Sequence, residues 1–385
     1  METQFIYSKY VTGKNNIGRR SESAVLSNLL GQGENVVLYE APKSGKRSLI
    51  QQTFFNMRIA GQAFSIAELS LQSTRSAGDL ALRLGSAVIG VCASTPDEYR
   101  ALAEGFLGGT HLIFDEEAFS SGGRILSLNW DVDDEDLLAV FRLPFRLAVS
   151  RGQKIYVLVE EFQNIMQVPE GEHLCGLLES VLKELTQEQR ALCSYILTGS
   201  QVNAMKDIFE TRHLFRRCVE RVQLQPIETK DIIEHVVRNF LSNGKVIDRE
   251  LLLGVCKLFR NNIFYINHFC AICNSLSKGY IMEPLLVEAL DMLVSIHEPR
   301  FRATMNDLTT FQVSLLRAIL DGNTRFSSTE VIENYGLNSS ANVRRLKDAL
   351  SKKEIVTFGE HDEPVLLDPL FEYWVRKYYF EIKES

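Results

Sequence analysis

In the first half of the chain, short apolar runs alternate with segments whose apolar residues recur at helical spacing. Four runs predict strands: Asn35–Tyr39, Phe64–Leu69, Lys154–Val159 and Tyr195–Thr198, each followed by a helical pattern. That alternation predicts a parallel sheet with helices on both faces. From Pro226 the strand signals stop, and Glu228–Ser242, Asp248–Phe259, Phe264–Ser277 and Glu283–Ile296 read as consecutive helices of a bundle. His297-Glu298-Pro299-Arg300 reads as a boundary, because the residue before a proline is driven out of helical geometry. Pro144 predicts a kink or a division in its own helix. The chain then changes again. Leu308–Leu320, Ser327–Tyr335 and Ser339–Ser351 predict three short helices, with Ser327 or Ser328 and Asn338 or Ser339 as N-caps. Ile355–Phe358 and Val365–Leu367 flank a turn-rich stretch and read as a β-wing, so helix-turn-helix plus wing is the economical description. The expected architecture is α/β: a parallel-sheet domain over 1–225, an α-helical lid over 226–305 and a winged-helix domain over 306–385.

Composition narrows the classes. With 385 residues, 45% hydrophobic and 24% charged, the chain has the balance of a globular protein, which excludes a wholly disordered or fibrous one. A net charge of −7 provides no global positive field toward nucleic acid or anionic membrane. No apolar run approaches the ~20 residues of a membrane span, and the first residues lack the apolar core of a secretory signal. The expectation is a cytoplasmic protein without membrane contact. The seven cysteines are an odd number and scattered, which argues for reduced thiols packed as small apolar side chains. Cys270-Ala-Ile-Cys273 is the one CxxC, and it has no second pair at zinc spacing. The acidic run Asp131–Asp136 fails as a calcium loop, because Asp136 and Arg142 stand where glycine and glutamate are required. It reads instead as an N-cap and acidic first turn.

The most informative stretch is Asn35–Ile50, where a β-run enters a short loop and Gly45-Lys46 opens a helix. This is the setting of a phosphate loop: backbone N–H groups and a helix N-terminus cradle phosphates while a lysine reaches the β/γ-phosphates. Against GxxxxGK[ST], Glu40 replaces the first glycine and Arg47 replaces the Mg²⁺-ligating hydroxyl, with Ser48 one residue later. Arg47 cannot coordinate a metal, but its permanent charge can contact a phosphate. The candidate phosphate residues are Lys43, Ser44, Gly45, Lys46, Arg47 and Ser48. Downstream, the strand beginning at Lys154 ends in Glu160 and Glu161. Such a strand places one carboxylate, here Glu160, on the Mg²⁺ shell through water and the next, Glu161, beside the attacking water. A third strand end, Thr198-Gly-Ser-Gln201, offers Thr198, Ser200 or Gln201 as γ-phosphate sensors, with a simple turn as the plain alternative.

In this order the elements resemble AAA+ and related signal-transduction ATPases. Ile17-Gly18-Arg19 with Glu22 and Leu26 resembles the segment that borders the adenine in those families. Glu-Glu-Phe-Gln and Thr-Gly-Ser-Gln are similar to the archaeal-type ATPase branch, as is Leu214-Phe215-Arg216-Arg217 before Leu224-Gln-Pro226. More narrowly, the chain resembles a Bacteroidetes-type group of bacterial ATP-binding proteins with a C-terminal winged helix. The resemblance implies ATP and Mg²⁺ as ligands, Ile17, Gly18 and Arg19 at the base, and an arginine finger from Arg212, Arg216 or Arg217 in a homo-oligomer. Where the lid of such proteins has Gly-x-Pro before an aromatic, this chain has Asn261-Asn262-Ile263-Phe264-Tyr265, and no second sensor is assigned.

The third helix of the C-terminal module carries Arg344, Arg345 and Lys347, a basic face of the kind that enters a DNA groove. Asp348 and an acidic wing tip of Glu360, Asp362 and Glu363 oppose a phosphate backbone, so duplex DNA is not the favoured partner. The aromatic cluster Phe371–Phe380 reads as a core-facing helix. Together these features predict a nucleotide-controlled switch with weak or partner-dependent ATP hydrolysis. The alternatives are a non-hydrolysing nucleotide-binding scaffold and a DNA-binding regulator with a degenerate ATPase core.

Overall fold

The computed structural model describes residues 5–359 and 361–382. It forms two compact units: one contains Arg20–Glu40 and Leu49–Leu224, the other the described residues to Arg19, Ala41–Ser48 and the chain from Gln225 onward.

The first unit is built on a parallel sheet. Its strands are β1 (Val36–Tyr39), β2 (Phe64–Ser70), β3 (Lys154–Glu160), β4 (Cys193–Gly199) and β5 (Glu220–Arg221), in spatial order β2-β3-β4-β1-β5. Every pairing is parallel. All four predicted strands are present: β1 begins one residue later than expected, β2 and β3 run one residue further, and β4 is three residues longer. The interior strands are buried along nearly their whole length and mostly apolar because both sheet faces are covered. On one face, α1 (Arg20–Gly31) and α2 (Lys46–Ile59) contribute Leu26, Leu30, Leu49, Ile50 and Phe54, which pack on Val36, Leu38, Tyr156 and Ile196. Strand order reverses around β1, and ligands of open α/β sheets lie off the carboxyl ends at such a point.

The acidic run caps α3 (Asp134–Arg151). Asp133 accepts the Asp136 N–H at 3.0 Å, and Asp136 accepts in return from the Asp133 N–H at 3.0 Å. Among the described residues, His111, Asp133 and Asp136 form the one group spaced to hold a metal. Asp136 already accepts from the His111 N–H at 2.7 Å and faces its ring at 2.9 Å, so the group is accounted for as a cap. Pro144 does not divide α3. Its neighbours Val140, Phe141, Leu143, Phe145, Leu147 and Ala148 are all buried, and the Tyr195 hydroxyl donates to the Phe141 carbonyl in the disturbed turn. Packing therefore outweighs the missing donor.

The second unit holds the bundle and the terminal module. Its first helices are α4 (Thr229–Ser242), α5 (Arg249–Leu258), α6 (Ile263–Leu276) and α7 (Glu283–Asn306). The helix break expected at His297–Arg300 is absent, since α7 runs through Pro299. Its buried stripe, Leu286, Ala289, Leu293, Phe301 and Met305, keeps helical spacing across the proline, with half-buried His297 filling the gap. The winged helix follows as α8 (Thr310–Leu320), α9 (Thr329–Asn334), α10 (Ser340–Lys352) and the antiparallel wing β6 (Val356–Phe358) and β7 (Pro364–Leu366). Ser328 and Ser339 are the N-caps. The C-terminal helix α11 (Pro369–Trp374) continues into a π-turn, Val375–Tyr379. It buries Phe371, Trp374 and Val375 and leaves Tyr378 and Tyr379 exposed. One continuous hydrophobic cluster joins the bundle to the winged helix. Cys270 and Cys273 are buried in it, and burial raises both thiol pKa values, that of Cys273 to about 12. No described helix is long and apolar enough to cross a membrane.

Burial lowers the pKa of His235 on α4 to about 4, and repulsion from Arg238 adds to the shift. The folded imidazole stays neutral while the unfolded one takes a proton below about 6.5. Stability therefore falls as pH drops from about 6.5 toward 4, by roughly 3 kcal/mol for this one group at pH 4. Urea titrations across that range on wild type and His235→Gln check this. The stability difference between the two should shrink on acidification, and a constant difference would refute it.

Candidate functional site

Glu40 to Ser48 contains no large apolar residue, so the chain leaves the sheet as a loop and regains helical order at Lys46. Lys43 (φ +65°) and Gly45 (φ +95°) both take left-handed backbone. Left-handed residues among right-handed ones turn successive N–H groups into a concavity that suits anions. No atom lies within 4 Å of the point where a Cβ on Gly45 would stand, so the cradle is open there. The Lys46 ammonium donates to the Ala41 carbonyl at 3.0 Å and lies 3.5 Å from Ser44 Oγ, curled over its own loop. The Ser48 hydroxyl accepts the Val11 N–H at 3.1 Å. Arg47 is exposed, with its guanidinium 5.4 Å from the Tyr10 ring centroid. The loop thus offers three cations to an anion. No hydroxyl stands at position 47, where a metal would look for one.

The segment expected at the base braces this loop. Buried Arg19 donates to the Gln225 carbonyl and, at 3.4 Å, to the Ser44 carbonyl, tying the phosphate loop to the start of the bundle segment. Ile17 is half-buried against the bundle core. Gly18 has φ +63°, and a Cβ there would come within 2.5 Å of Ile227 Cγ2. The Lys43 ammonium lies 4.1 Å from the centroid of Phe264 and 5.7 Å from that of Tyr265. Burial lowers its pKa, Arg300 lowers it further, and Asp368 opposes both. This contact was not legible in the sequence. The one signal was the pair of aromatics after Asn261-Asn262.

In the sheet unit, Glu160 ends β3 and is half-buried. Glu161 follows with φ +55°, and its carboxylate accepts from Ser200 Oγ at 2.6 Å and Gln163 Nε2 at 2.6 Å. Ser200 is therefore the sensor candidate that meets the acid. Thr198 is turned to the Val159 carbonyl at 3.4 Å, and Gln201 precedes the helix Val202–Lys206. Sequence reasoning gave Gln163 no role. In the structure Gly199 leaves room for it, since a Cβ there would stand 2.7 Å from Gln163 Oε1. Arg212 is held by Asp207, at 2.7 Å, and by Glu172, whereas Arg216 and Arg217 stand exposed.

In the winged helix, Arg344 and Arg345 are exposed on the side of α10 away from buried Val343, Leu346 and Leu350. Lys347 pairs with Asp362 and lies 4.4 Å over the Phe358 ring, so the wing absorbs its charge. Glu360, expected in the acidic wing tip, lies outside the described residues.

Comparison with known proteins matches this arrangement. A Walker-type ATPase of Pyrococcus abyssi superposes with a TM-score of 0.68 at 16% identity, over 97% of this chain and 99% of that one. The ORC2 protein of Aeropyrum pernix, solved in ADPNP–ADP complexes, gives 0.56 at 12% identity over 96% and 93%. Its ADP form gives 0.53 at 13% identity over 96% and 95%. The chain shares the fold of these proteins. Residues 299–377 match a family described as "Probable winged helix domain". No curated protein matches the sequence. The AAA+-like parallel-sheet core, the helical segment and the C-terminal winged helix are thus shown as fold.

Gly18 generates a test of the brace. Gly18→Ala combines left-handed strain of about 1–2 kcal/mol with overpacking of about 1–3 kcal/mol against Ile227. A loss of roughly 2–5 kcal/mol in unfolding free energy is expected, and an unchanged denaturation midpoint would contradict the close approach.

Proposed function

We propose that this protein is an ATP-binding switch with weak or partner-dependent hydrolysis. The observation that carries the reading is the open, left-handed loop at Gly45 beside Lys46 and the start of α2. In this reading Lys46 holds the β/γ-phosphates. Lys43, Ser44, Gly45 and Arg47 complete the cradle, and Ile17, Gly18 and Arg19 shape the base-binding side. Glu160 is the residue that would hold Mg²⁺, which would neutralise phosphate charge there, and Glu161, oriented by Ser200 and Gln163, would align the attacking water. Gln201 remains a further sensor candidate. Arg216 or Arg217 serves as a finger toward a second copy, which makes a homo-oligomer the working form. The domains are 1–225 for nucleotide, 226–305 for the lid and 306–385 for the winged helix, which docks an unidentified protein partner.

The residues present fit a polyphosphate better than they fit the metal. Arg47 stands in the metal-ligating position, and the Ser48 hydroxyl is engaged by Val11. This favours, as second reading, a scaffold that binds nucleotide without turning it over. Exposed Arg344 and Arg345 keep a duplex-DNA role as a further outcome of testing.

Calorimetric titration with ATP, with and without Mg²⁺, on wild type and Lys46→Ala separates these readings, followed by phosphate-release assays on the same samples. ATP binding that weakens at least tenfold in Lys46→Ala is expected, together with slow Mg²⁺-dependent release. Binding without release supports the scaffold. Equal affinity in both proteins refutes the phosphate-loop assignment. Salt-dependent duplex binding lost in an Arg344→Ala, Arg345→Ala double variant would point to the DNA regulator.

A further inference from the structure

Phe264 and Tyr265 stand side by side at the start of α6; Phe264 is the nearer ring to the Lys43 ammonium, and Tyr265, whose ring is 5.7 Å from it, carries its hydroxyl toward the winged helix. They follow a turn in which Arg260 (φ +48°) and Asn261 (φ +57°) are both left-handed. The Asn261 side chain pins that turn by donating to the Ile227 carbonyl at 2.9 Å and to Thr229 Oγ1 at 3.0 Å. Phe264 presents its ring to the Lys43 ammonium at 4.1 Å. Tyr265 turns its hydroxyl to the winged helix and donates to Asp368 at 2.8 Å. Arg300, one residue past the proline of α7, closes the triangle. It donates to the Tyr265 hydroxyl at 3.0 Å and pairs with Asp368 at 2.7 Å. Asp368 in turn caps α11, accepting from the Leu370 N–H at 3.0 Å and the Phe371 N–H at 3.1 Å.

A lysine of the phosphate loop therefore rests on the ring adjacent to the residue that anchors the winged helix. Lys43 is exposed as a residue, yet its ammonium rests against the ring with a second cation, Arg300, opposing its charge. The cation–π contact is weaker than a charge-assisted hydrogen bond to phosphate, so a bound phosphate competes successfully with the ring.

We propose that Lys43 is shared between bound polyphosphate and the Phe264 ring, so that nucleotide binding draws it off the lid and resets the Tyr265–Arg300–Asp368 junction with the winged helix. This rests on the nucleotide-binding reading above and adds how the loop signals. Two positions of one side chain form the two-state element that a coupling between sites requires. The exchange is reciprocal: weakening the resting position favours the ligand-bound one.

A double-mutant cycle on the full chain tests it, with ATP and inorganic tripolyphosphate as probes. Phe264→Leu keeps apolar bulk and removes the ring face, so it should tighten ATP binding about two- to tenfold in the Lys43 background. In a Lys43→Met background the same change should alter affinity by less than about twofold. Tripolyphosphate should reproduce the pattern, because the contact concerns phosphate and not base. The second readout is Trp374, buried against Phe301 and Phe371, observed alone in a Trp130→Phe background. Its emission should shift on saturation with ATP and stay fixed in Lys43→Met. If Phe264→Leu acts equally in both backgrounds, or Trp374 does not respond in wild type at saturation, the shared lysine is refuted while Lys46-dependent binding still stands. If wild type binds neither ATP nor tripolyphosphate, the nucleotide reading falls and this inference falls with it.

Discussion

A proline in mid-helix removes one hydrogen bond and crowds the preceding turn, at about 3 kcal/mol or more. The unit built from the bundle and winged helix depends on that loss being outweighed at Pro299. Leu286, Ala289 and Leu293 before it and Phe301 and Met305 after it bury one stripe into one cluster. Each such side chain contributes about 1.5–3 kcal/mol on burial. Because α7 stays continuous, Arg300 is carried on the same rod that packs into the bundle, and its guanidinium reaches Tyr265 and Asp368 together. Broken at the proline, the helix would leave Asp368 to cap α11 with no charged partner from α7.

The phosphate loop shows the same substitution of one force for another. A loop that keeps GK but lacks the first glycine and the metal-ligating hydroxyl has lost part of the usual cradle. What remains is concentrated positive charge: Lys43, Lys46 and Arg47 within five residues, ahead of a helix whose N-terminus also favours anions. Buried Arg19 holds the Ser44 carbonyl from behind, which fixes the loop without using a ligand. In the proposed nucleotide-binding reading, such a site takes phosphate charge directly and relies less on a bridging metal.

Local signals were legible and long-range ones were not. Strands β1, β3 and β4 stand out as apolar runs that give way to polar or glycine residues, and β2 as a run in which apolar and polar residues mix. The caps at Ser328, Ser339 and Asp133 follow from side-chain chemistry within three residues. Pro144 and Pro299 misled because a local rule met tertiary packing that the sequence displays only as scattered apolar letters. Lys347 reads as a groove-binding cation until the wing folds Asp362 onto it. Ser48 reads as a ligand until the N-terminal segment places the Val11 N–H on it. The candidate site is thus half legible: residue types at strand ends and the glycine-lysine turn can be read, but their present partners cannot.

Lys43 carries that lesson furthest. In the sequence it is one of three cations in a loop, with nothing to set it apart from a solvated lysine. Its partner Phe264 lies far along the chain in a turn held by two left-handed non-glycine residues, a conformation that costs of order 1–3 kcal/mol per residue. Strain of that size persists only where surrounding bonds over-determine it, and Asn261 supplies two of them. The turn fixes which way the two aromatics of α6 face. One meets the phosphate loop and the other meets the winged helix, so a displacement at the first is felt at the second through a single helix N-terminus.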